Sequence, residues 1–322
     1  MRQLARALAV GSFVAISAVP GAQAQQYPSQ DIHFICAFPP GSGADIVVRF
    51  YAEKVRALAG RNIIVENKPG AASNIATEYL ARSKPDGHTI YIHPASSVGA
   101  NMHLFKNPPV DVGKAIQIAA PLNKQPYMLL VDAKRPWKTV ADLTAYLKEK
   151  KDKASYATTN PSAKVMGAIY KHVTKVEAVE VSYRTSGDTI NDMQSGALDY
   201  AFQDPIFSTS QARAGRMRIL AVSTGERTHA NPELPTMKES GIPMDLLGWF
   251  AAMVPMGTPR PVVDQINKWF NQVNSTEEAK KFLNNSGGDP WISTPDEGQA
   301  RLLKDIKDWG EYVRAAKIEP QG

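Results

Sequence analysis

Two spacings of apolar residues alternate along the first third of the chain. Short apolar runs predict buried strands over 32–38, 63–66 and 88–93. Between them, apolar residues recur every three or four positions, which predicts helices over 45–59 and 72–83. The buried face of the first helix is predicted to hold Val47, Tyr51, Val55 and Leu58. This βαβαβ order is typical of a parallel sheet with right-handed crossovers.

The same order returns in the middle third of the chain. Helices are predicted over 140–149, 162–172, 188–195 and 206–214, and strands over 155–157, 178–183, 198–203 and 217–222. The last third is predicted to be mainly helical, because Pro261 opens one helix and a capping box at 294–297 opens another. The second of these helices carries an apolar stripe of Leu302, Ile306, Trp309 and Val313. Two parallel-sheet units in series predict an α/β protein of two domains.

The N-terminus has the pattern of a secretory signal peptide. Arg2 and Arg6 give it a positive start, an apolar segment of small residues follows over 7–19, and Ala22-Gln23-Ala24 supplies a cleavage site. We therefore predict that residues 1–24 are a signal peptide that is cleaved after Ala24. Its removal lowers the formal net charge from +6 to +4, since it holds two arginines and no acidic residue.

Charge and motifs argue against several function classes. The net positive charge is mild and forms no basic stripe with interleaved aromatic residues, so nucleic-acid binding is not expected. Cys36 is the single cysteine and lies in the first predicted strand, where it is expected to act as a small apolar residue without a disulfide partner. Motifs for a zinc site, a phosphate loop or a serine nucleophile are absent from the sequence. We expect no metal, no cofactor and no catalytic activity.

The loop over 38–45 is the most informative candidate site. Its Gly41-Ser42-Gly43 turn joins a buried strand to a helix and leaves the first helical N–H groups free, where the helix dipole favours an anion. Small polar residues also follow other predicted strands, over 68–74, 94–97, 158–162 and 184–187. Because ligands lie beyond the carboxyl ends of strands in open parallel sheets, both halves are expected to face one cleft. Each loop taken alone is also consistent with a helix cap that binds nothing.

Ordered motifs cover nearly the whole chain after the predicted signal peptide. The first is Tyr27-Pro28, and the second is Phe38-Pro39-Pro40-Gly41 with Asp45 and Arg49. They are followed by segments 65–71, 84–89, 183–187, 195–199, 234–241 and 255–259, with Arg227 and Trp249 between them. In these residues the sequence resembles the solute-binding proteins of tripartite tricarboxylate transporters, also called the Bug family.

The resemblance implies a two-domain periplasmic-binding-protein (Venus flytrap) architecture, in which each domain is a mainly parallel sheet flanked by helices. Domain I would comprise residues 25–124 and 250–322, and domain II residues 125–249, with hinges near 123–126 and 247–250. The resemblance further implies a periplasmic monomer. Such a protein closes on a small carboxylate and hands it to the membrane permease subunits of a tripartite transporter.

The resemblance also implies a ligand site. The loop over 38–45 would hold one carboxylate through backbone N–H groups, with Phe38 and Phe202 shielding the apolar body of the ligand. The candidate ligand-binding residues are Phe38, Gly41, Ser42, Gly43, Ala44, Ala71, Ser73, Asn74, Ser96, Thr158, Thr159, Ser162, Thr185, Phe202 and Asp204. The predicted cargo is a dicarboxylate with an aromatic or a short aliphatic body. Ser42 and Ala44 in the first loop, and the bulky loop over 158–162, depart from the family pattern and leave the identity of the ligand open.

Two other functions stay open at this point. A sensor subunit could use the same fold to signal rather than to transport, and a ligand-dependent partner kinase would identify it. A secreted hydrolase or isomerase would need a catalytic constellation that the sequence does not supply. Product formation by the purified protein alone would support that alternative.

Overall fold

The computed structural model describes residues 27–315 and 317–322, so the predicted signal peptide lies outside the described residues. The strands are β1 (Ile32–Cys36), β2 (Ile63–Asn67), β3 (Thr89–Pro94), β4 (Ile116–Pro121), β5 (Asn123–Pro126), β6 (Met128–Asp132), β7 (Ala154–Thr158), β8 (Ala178–Ser182), β9 (Tyr200–Gln203), β10 (Met217–Val222), β11 (Leu247–Gly248), β12 (Phe250–Pro255) and β13 (Asp289–Pro290). The helices are α1 (Gly43–Ala59), α2 (Asn74–Ala81), α3 (Ala95–Leu104), α4 (Val112–Ala115), α5 (Val140–Lys150), α6 (Pro161–Thr174), α7 (Ile190–Ser195), α8 (Pro205–Arg213), α9 (Arg260–Asn274), α10 (Glu277–Asn285) and α11 (Pro295–Ala315). Within the described ranges, no helix is long and apolar enough to cross a membrane.

Two large sheets with matching topology organise the molecule. The first has the strand order β2-β1-β3-β12-β4 and the second the order β8-β7-β9-β6-β10. In the first sheet β12 is antiparallel to both of its neighbours, and in the second β6 is, so the other strands of each sheet point the same way. The predicted α/β fold with two mainly parallel sheets is therefore confirmed. We call the halves built on these sheets the first lobe and the second lobe.

The chain crosses between the lobes along two short paired strands. β5 leads into β6 of the second lobe, and β11 leads into β12 of the first. β5 and β11 pair antiparallel with each other, and β13 pairs with β5 as well. The reversed strand of each large sheet is thus the one that follows a crossing. The hinges predicted from the sequence fall on these crossings; that the chain bends there, and the exact domain limits, stay predictions.

Helices cover both faces of the first sheet. On one face α1 and α9 contribute Val47, Tyr51, Trp269 and Phe270 to a buried cluster. The stripe of α1 is shorter than predicted, because Leu58 in the last turn is 43% exposed. On the opposite face, residues of α2, α3 and α11 pack together with Trp249.

The second lobe has its own core, and α11 reaches it. β7, β9, α5 and α6 build the largest buried cluster, and Trp309 and Val313 of α11 belong to this cluster. Leu302, in the first half of the same helix, packs in the first lobe. The C-terminal helix therefore contributes to both lobes, which the periodicity of its apolar stripe could not show.

Candidate functional site

The loop between β1 and α1 exposes unpaired backbone donors to the cleft between the lobes. Ser42 is the N-cap of α1, and its Oγ accepts a hydrogen bond from the Asp45 N–H at 3.3 Å. The N–H groups of Gly43 and Ala44 donate to no described residue, and both residues line the cleft. Free N–H groups at the positive end of a 17-residue helix are suited to a carboxylate.

The carboxylate of Asp45 holds this loop in shape from the inside. It is buried and accepts hydrogen bonds at 2.8 Å from the Gly41 N–H, Arg49 Nε and Asn67 Nδ2. Asn67 Nδ2 also donates to the Phe38 carbonyl, which fixes the start of the loop. Burial raises the pKa of Asp45, but the hydrogen bonds from Arg49, Asn67 and Gly41 outweigh it and hold the pKa below its usual range. Asp45 therefore positions the loop, and it lines neither of the two largest cavities of the cleft.

The lowered pKa of Asp45 gives a pH-dependent contribution to stability. The unfolded chain binds a proton at this carboxylate more readily than the native state, so the contribution is complete above the ordinary pKa of about 3.9. It is lost as the pH falls through the lowered native pKa. When urea unfolding is measured from about pH 5 down to about pH 2, the free energy of unfolding should fall more steeply for the wild type than for Asp45→Asn. Asp296→Asn, at an exposed carboxylate, is the matched control; equal slopes for wild type and Asp45→Asn would contradict the assignment.

The second loop of the first lobe is a left-handed turn rather than the predicted start of a helix. Gly70 has a φ of +133°, and Ala71, Ala72 and Ser73 follow with φ of 47°, 51° and 77°. The helix predicted over 72–83 therefore begins only at Asn74. A residue other than glycine costs about 1–2 kcal/mol when its backbone adopts the left-handed conformation, so contacts with neighbouring structure must hold the turn. Asn101 Nδ2 does so by donating to the Ala72 carbonyl at 2.7 Å.

Substituting glycine at two alanines tests this backbone strain. In Ala72→Gly, the relief of about 1 kcal/mol of backbone strain offsets the entropic cost of ordering glycine. The free energy of unfolding should therefore change by less than about 0.5 kcal/mol. Ala76→Gly, in the regular and buried part of α2, should lose about 1–2 kcal/mol. Urea unfolding of both variants gives the comparison. An equal loss in the two variants would show that the turn is not strained.

The second lobe meets the cleft with hydroxyl and amide groups. Thr159 Oγ1 and Ser186 Oγ both donate to Gln203 Oε1, at 3.1 and 2.7 Å. The Nε2 of Gln203 is buried and has no partner among the described residues. Asp204 caps α8, accepting from the Phe207 N–H at 2.9 Å, and burial raises the pKa of its carboxyl despite this hydrogen bond.

The cleft has two chambers that share one wall. The hinge-side chamber, about 470 Å³, extends from the 38–44 loop past α8 to Gln125, Tyr127 and Phe250. The tail-side chamber, about 390 Å³, extends from Phe38 past the left-handed turn to Phe105 and Gln321. The residues that line both are Phe38, Pro39, Ser97, Thr159, Asn160 and Arg184.

The lobes touch across the hinge-side chamber. A Cβ added to Gly43 would lie 3.2 Å from Asp204 Oδ1 and 3.3 Å from the Ile206 Cβ. The N-termini of α1 and α8 therefore face each other at close range.

Phe38 gives the shared wall an aromatic face. Its ring stacks on His93 with centroids 5.1 Å apart, and His93 stacks in turn on Tyr91. Burial lowers the pKa of His93 to about 3, so this imidazole is neutral in the physiological range. Among the described residues, no group of three or more His, Cys, Asp and Glu side chains is placed to hold a metal ion.

The structure brings most of the predicted site residues to the cleft. Those lining a chamber are Phe38, Gly41, Ser42, Gly43, Ala44, Ser73, Thr158, Thr159, Thr185 and Asp204; those lining neither are Ala71, Asn74, Ser96, Ser162 and Phe202. Phe202 lies fully buried in the core of the second lobe, because side chains alternate along β9 and this one faces inward. Ser162 is buried against Ser97, and Asn74 accepts from Asn101. Whether the lining residues bind a ligand stays a prediction.

Several lining residues were missing from the predicted set. Arg184 lies in both chambers and forms no ion pair with a described residue. It belongs to a motif that the sequence displays, and its cationic charge beside a strand end was the signal that could have selected it. Gln125 was predicted only as part of a hinge, and Tyr127 and Gln211 lie outside every predicted loop, so no local pattern pointed to them as lining residues.

Comparisons with known proteins agree with this architecture. A family model described as the tripartite tricarboxylate transporter family receptor matches residues 47–318. The protein BugT of Bordetella pertussis is 26% identical over 317 residues, which are 97% of this chain and 97% of BugT. The solved structure of the periplasmic binding protein BugD is similar at a TM-score of 0.83 and 26% identity, covering 92% of this chain and 100% of BugD. That of R. palustris Rpa4515 with adipate has a TM-score of 0.86 at 24% identity and covers 92% and 100% of the two chains.

Proposed function

Because the chain belongs to the receptor family of tripartite tricarboxylate transporters, we propose that it captures a small carboxylate between its lobes in the periplasm and delivers it to a tripartite membrane transporter. The family resemblance seen in the sequence motifs is confirmed by the match over residues 47–318. Family and fold are those of solute-binding proteins, and the proposal includes no enzymatic activity. The protein would act as a monomer, with the permease subunits as its partners.

The observation that carries the proposal is the pair of free N–H groups at the start of α1. Gly43 and Ala44 present them to a chamber between the lobes whose other donors are hydroxyls, amides and the Arg184 guanidinium. An anion placed there interacts favourably with the helix dipole and replaces water hydrogen bonds with backbone ones. A carboxylate matches this arrangement, since each of its oxygens accepts more than one hydrogen bond.

A second carboxylate on the same ligand would be held by Arg184 from the second lobe. The guanidinium can bind a carboxylate through two parallel hydrogen bonds, and Thr159 lies on the same wall. A dicarboxylate would then contact both lobes at once. Such a ligand stabilises the closed arrangement by its differential affinity for it, which is the state a permease could recognise.

Thermal unfolding of the exported chain against a ligand panel tests the proposal. The panel holds mono-, di- and tricarboxylates, including adipate and malate, with glucose and glycine as controls. A ligand at about 100 times its dissociation constant adds about 2.7 kcal/mol to the free energy of unfolding, which is a shift of several degrees. We expect such a shift from at least one class of carboxylate. A shift from the controls alone, or from no compound, would contradict the proposal.

A further inference from the structure

One side chain in the hinge-side chamber has no hydrogen-bond partner although it is almost completely buried. Gln211 of α8 is 7% exposed and lines the chamber. Its Oε1 is fully buried and unpaired, and its side-chain amide bonds to no described residue. A buried amide without a partner is costly, so a chamber that keeps one is built for a polar atom from outside the chain.

Gln125 lines the same chamber from the crossing strand β5. It is 4% exposed, and its Oε1 accepts a hydrogen bond from Asn123 Nδ2 at 3.2 Å. Its amino group donates to no described residue, so it offers a second neutral donor to the same space. Two amides from two different elements therefore line one chamber.

The spacing of the lining residues along α8 indicates the length of a ligand that fits the chamber. Asp204, Phe207 and Gln211 follow at steps of three and four, so they lie on one face of the helix, and all line the chamber. At 1.5 Å per residue, Gln211 lies about 10 Å along the axis from Asp204, where the two lobes touch. Between these two residues, α8 lines the chamber with the apolar side chains of Ile206 and Phe207 and with Ser210 next to Gln211.

Charge separates the two ends of this chamber. Its charged lining residues are Arg184 and Asp204, both on the segments that follow strands β8 and β9. The other lining residues are uncharged, so a carboxylate at the Gln211 end, about 10 Å along α8 from Asp204, would lose its hydration without gaining a cation there. A hydroxyl meets no such cost, and it satisfies an amide in either orientation because it both donates and accepts.

We propose that Gln211 forms a subsite for a hydroxyl group, so that the preferred ligand is an elongated carboxylate with an apolar ring and a hydroxyl at its far end. This inference rests on the proposed function, which places the carboxylate at Gly43 and Ala44. It names the substrate class for the same cleft: hydroxylated aromatic or alicyclic acids about 10 Å long. A second carboxylate, where present, belongs beside Arg184.

Calorimetric titration with three matched acids tests the subsite. The probes are phenylpropanoate, its para-hydroxy derivative and its para-carboxy derivative, each titrated into wild type, Gln211→Leu and Ser210→Ala. Wild type should bind the para-hydroxy acid about tenfold more tightly than the parent acid and should bind the para-carboxy acid most weakly. Gln211→Leu should bind the first two acids equally, by losing the gain from the hydroxyl. Ser210→Ala, an exposed neighbour in the same lining, should keep the wild-type order.

The outcomes distinguish this inference from the function on which it rests. An unchanged preference in Gln211→Leu, or tightest binding of the para-carboxy acid, would overturn the hydroxyl subsite. So would binding of adipate or malate with none of the three probes bound, although the proposed function would then stand. Failure of every carboxylate to bind would remove both. Because Gln211 Oε1 has no partner to lose, Gln211→Leu should keep a thermal midpoint at least as high as wild type, and Gln211→Met provides a second test if it does not.

Discussion

Replacing Gly43 with valine is expected to weaken carboxylate binding by at least about 100-fold while the fold stays intact. Even a Cβ at this position comes within 3.2 Å of Asp204 Oδ1 and 3.3 Å of Ile206, and the two methyl groups of valine extend farther. The second lobe could then not approach the first as closely, so the ligand would lose its contacts with the second lobe. Each lobe keeps its own core, because Gly43 belongs to no buried cluster.

Titration calorimetry with the best carboxylate from the thermal panel measures this effect. Gly187→Ala is the matched control, since its added Cβ meets nothing closer than Thr185 Oγ1 at 3.7 Å. That variant should bind within about twofold of wild type. Small-angle X-ray scattering should show wild type contracting with ligand and Gly43→Val not contracting. Binding of Gly43→Val within about threefold of wild type would show that the lobes need not meet at this point.

Replacing Trp249 with alanine should lower the free energy of unfolding by about 3–5 kcal/mol. Trp249 is fully buried between β11 and β12, and its ring meets Trp291 edge-on at a centroid distance of 5.4 Å. Its Nε1–H donates to Asp305 Oδ2 at 2.6 Å, which joins the crossing strands to α11. The truncation therefore leaves a large cavity and removes a partner from a buried carboxylate.

Trp249→Phe separates these two causes. Phenylalanine keeps most of the ring volume but cannot donate to Asp305, so it should lose about 1–3 kcal/mol. Burial already raises the pKa of Asp305, against the opposing effects of Arg301 and Trp249, so loss of the indole donor should raise it further. Urea unfolding at neutral pH measures the loss of free energy of unfolding in both variants. A loss below about 1 kcal/mol in Trp249→Ala would show that this contact does not hold the crossing.

The periodicity of the sequence was sufficient for the fold class and for most helices. It did not reveal the reversed strands β6 and β12, because strand direction depends on which lobe the chain enters from. It also missed α3, whose first residues, Ala95-Ser96-Ser97, have the composition of a polar loop. In the fold this helix is largely buried between the lobes, so tertiary packing overrides local preference.

The candidate site was predictable where a glycine-rich turn follows a strand, and not elsewhere. The 38–45 loop could be found because its residues act locally, through caps and free N–H groups. The left-handed turn at 70–73 depends on Asn101, a distant residue of α3, so local sequence favoured a helix. Gln211 reaches the cleft only because α8 runs along the chamber, which is a property of the assembled lobes.

Titration of wild type, Ser42→Ala and Thr159→Ala with the best carboxylate of the panel tests most directly whether both lobes hold the ligand. Ser42 caps α1 in the first lobe, and Thr159 lines the shared wall from the second. Each variant is expected to bind about tenfold more weakly than wild type, since each removes one polar contact or its support. Unchanged affinity in both variants would place carboxylate binding outside this cleft.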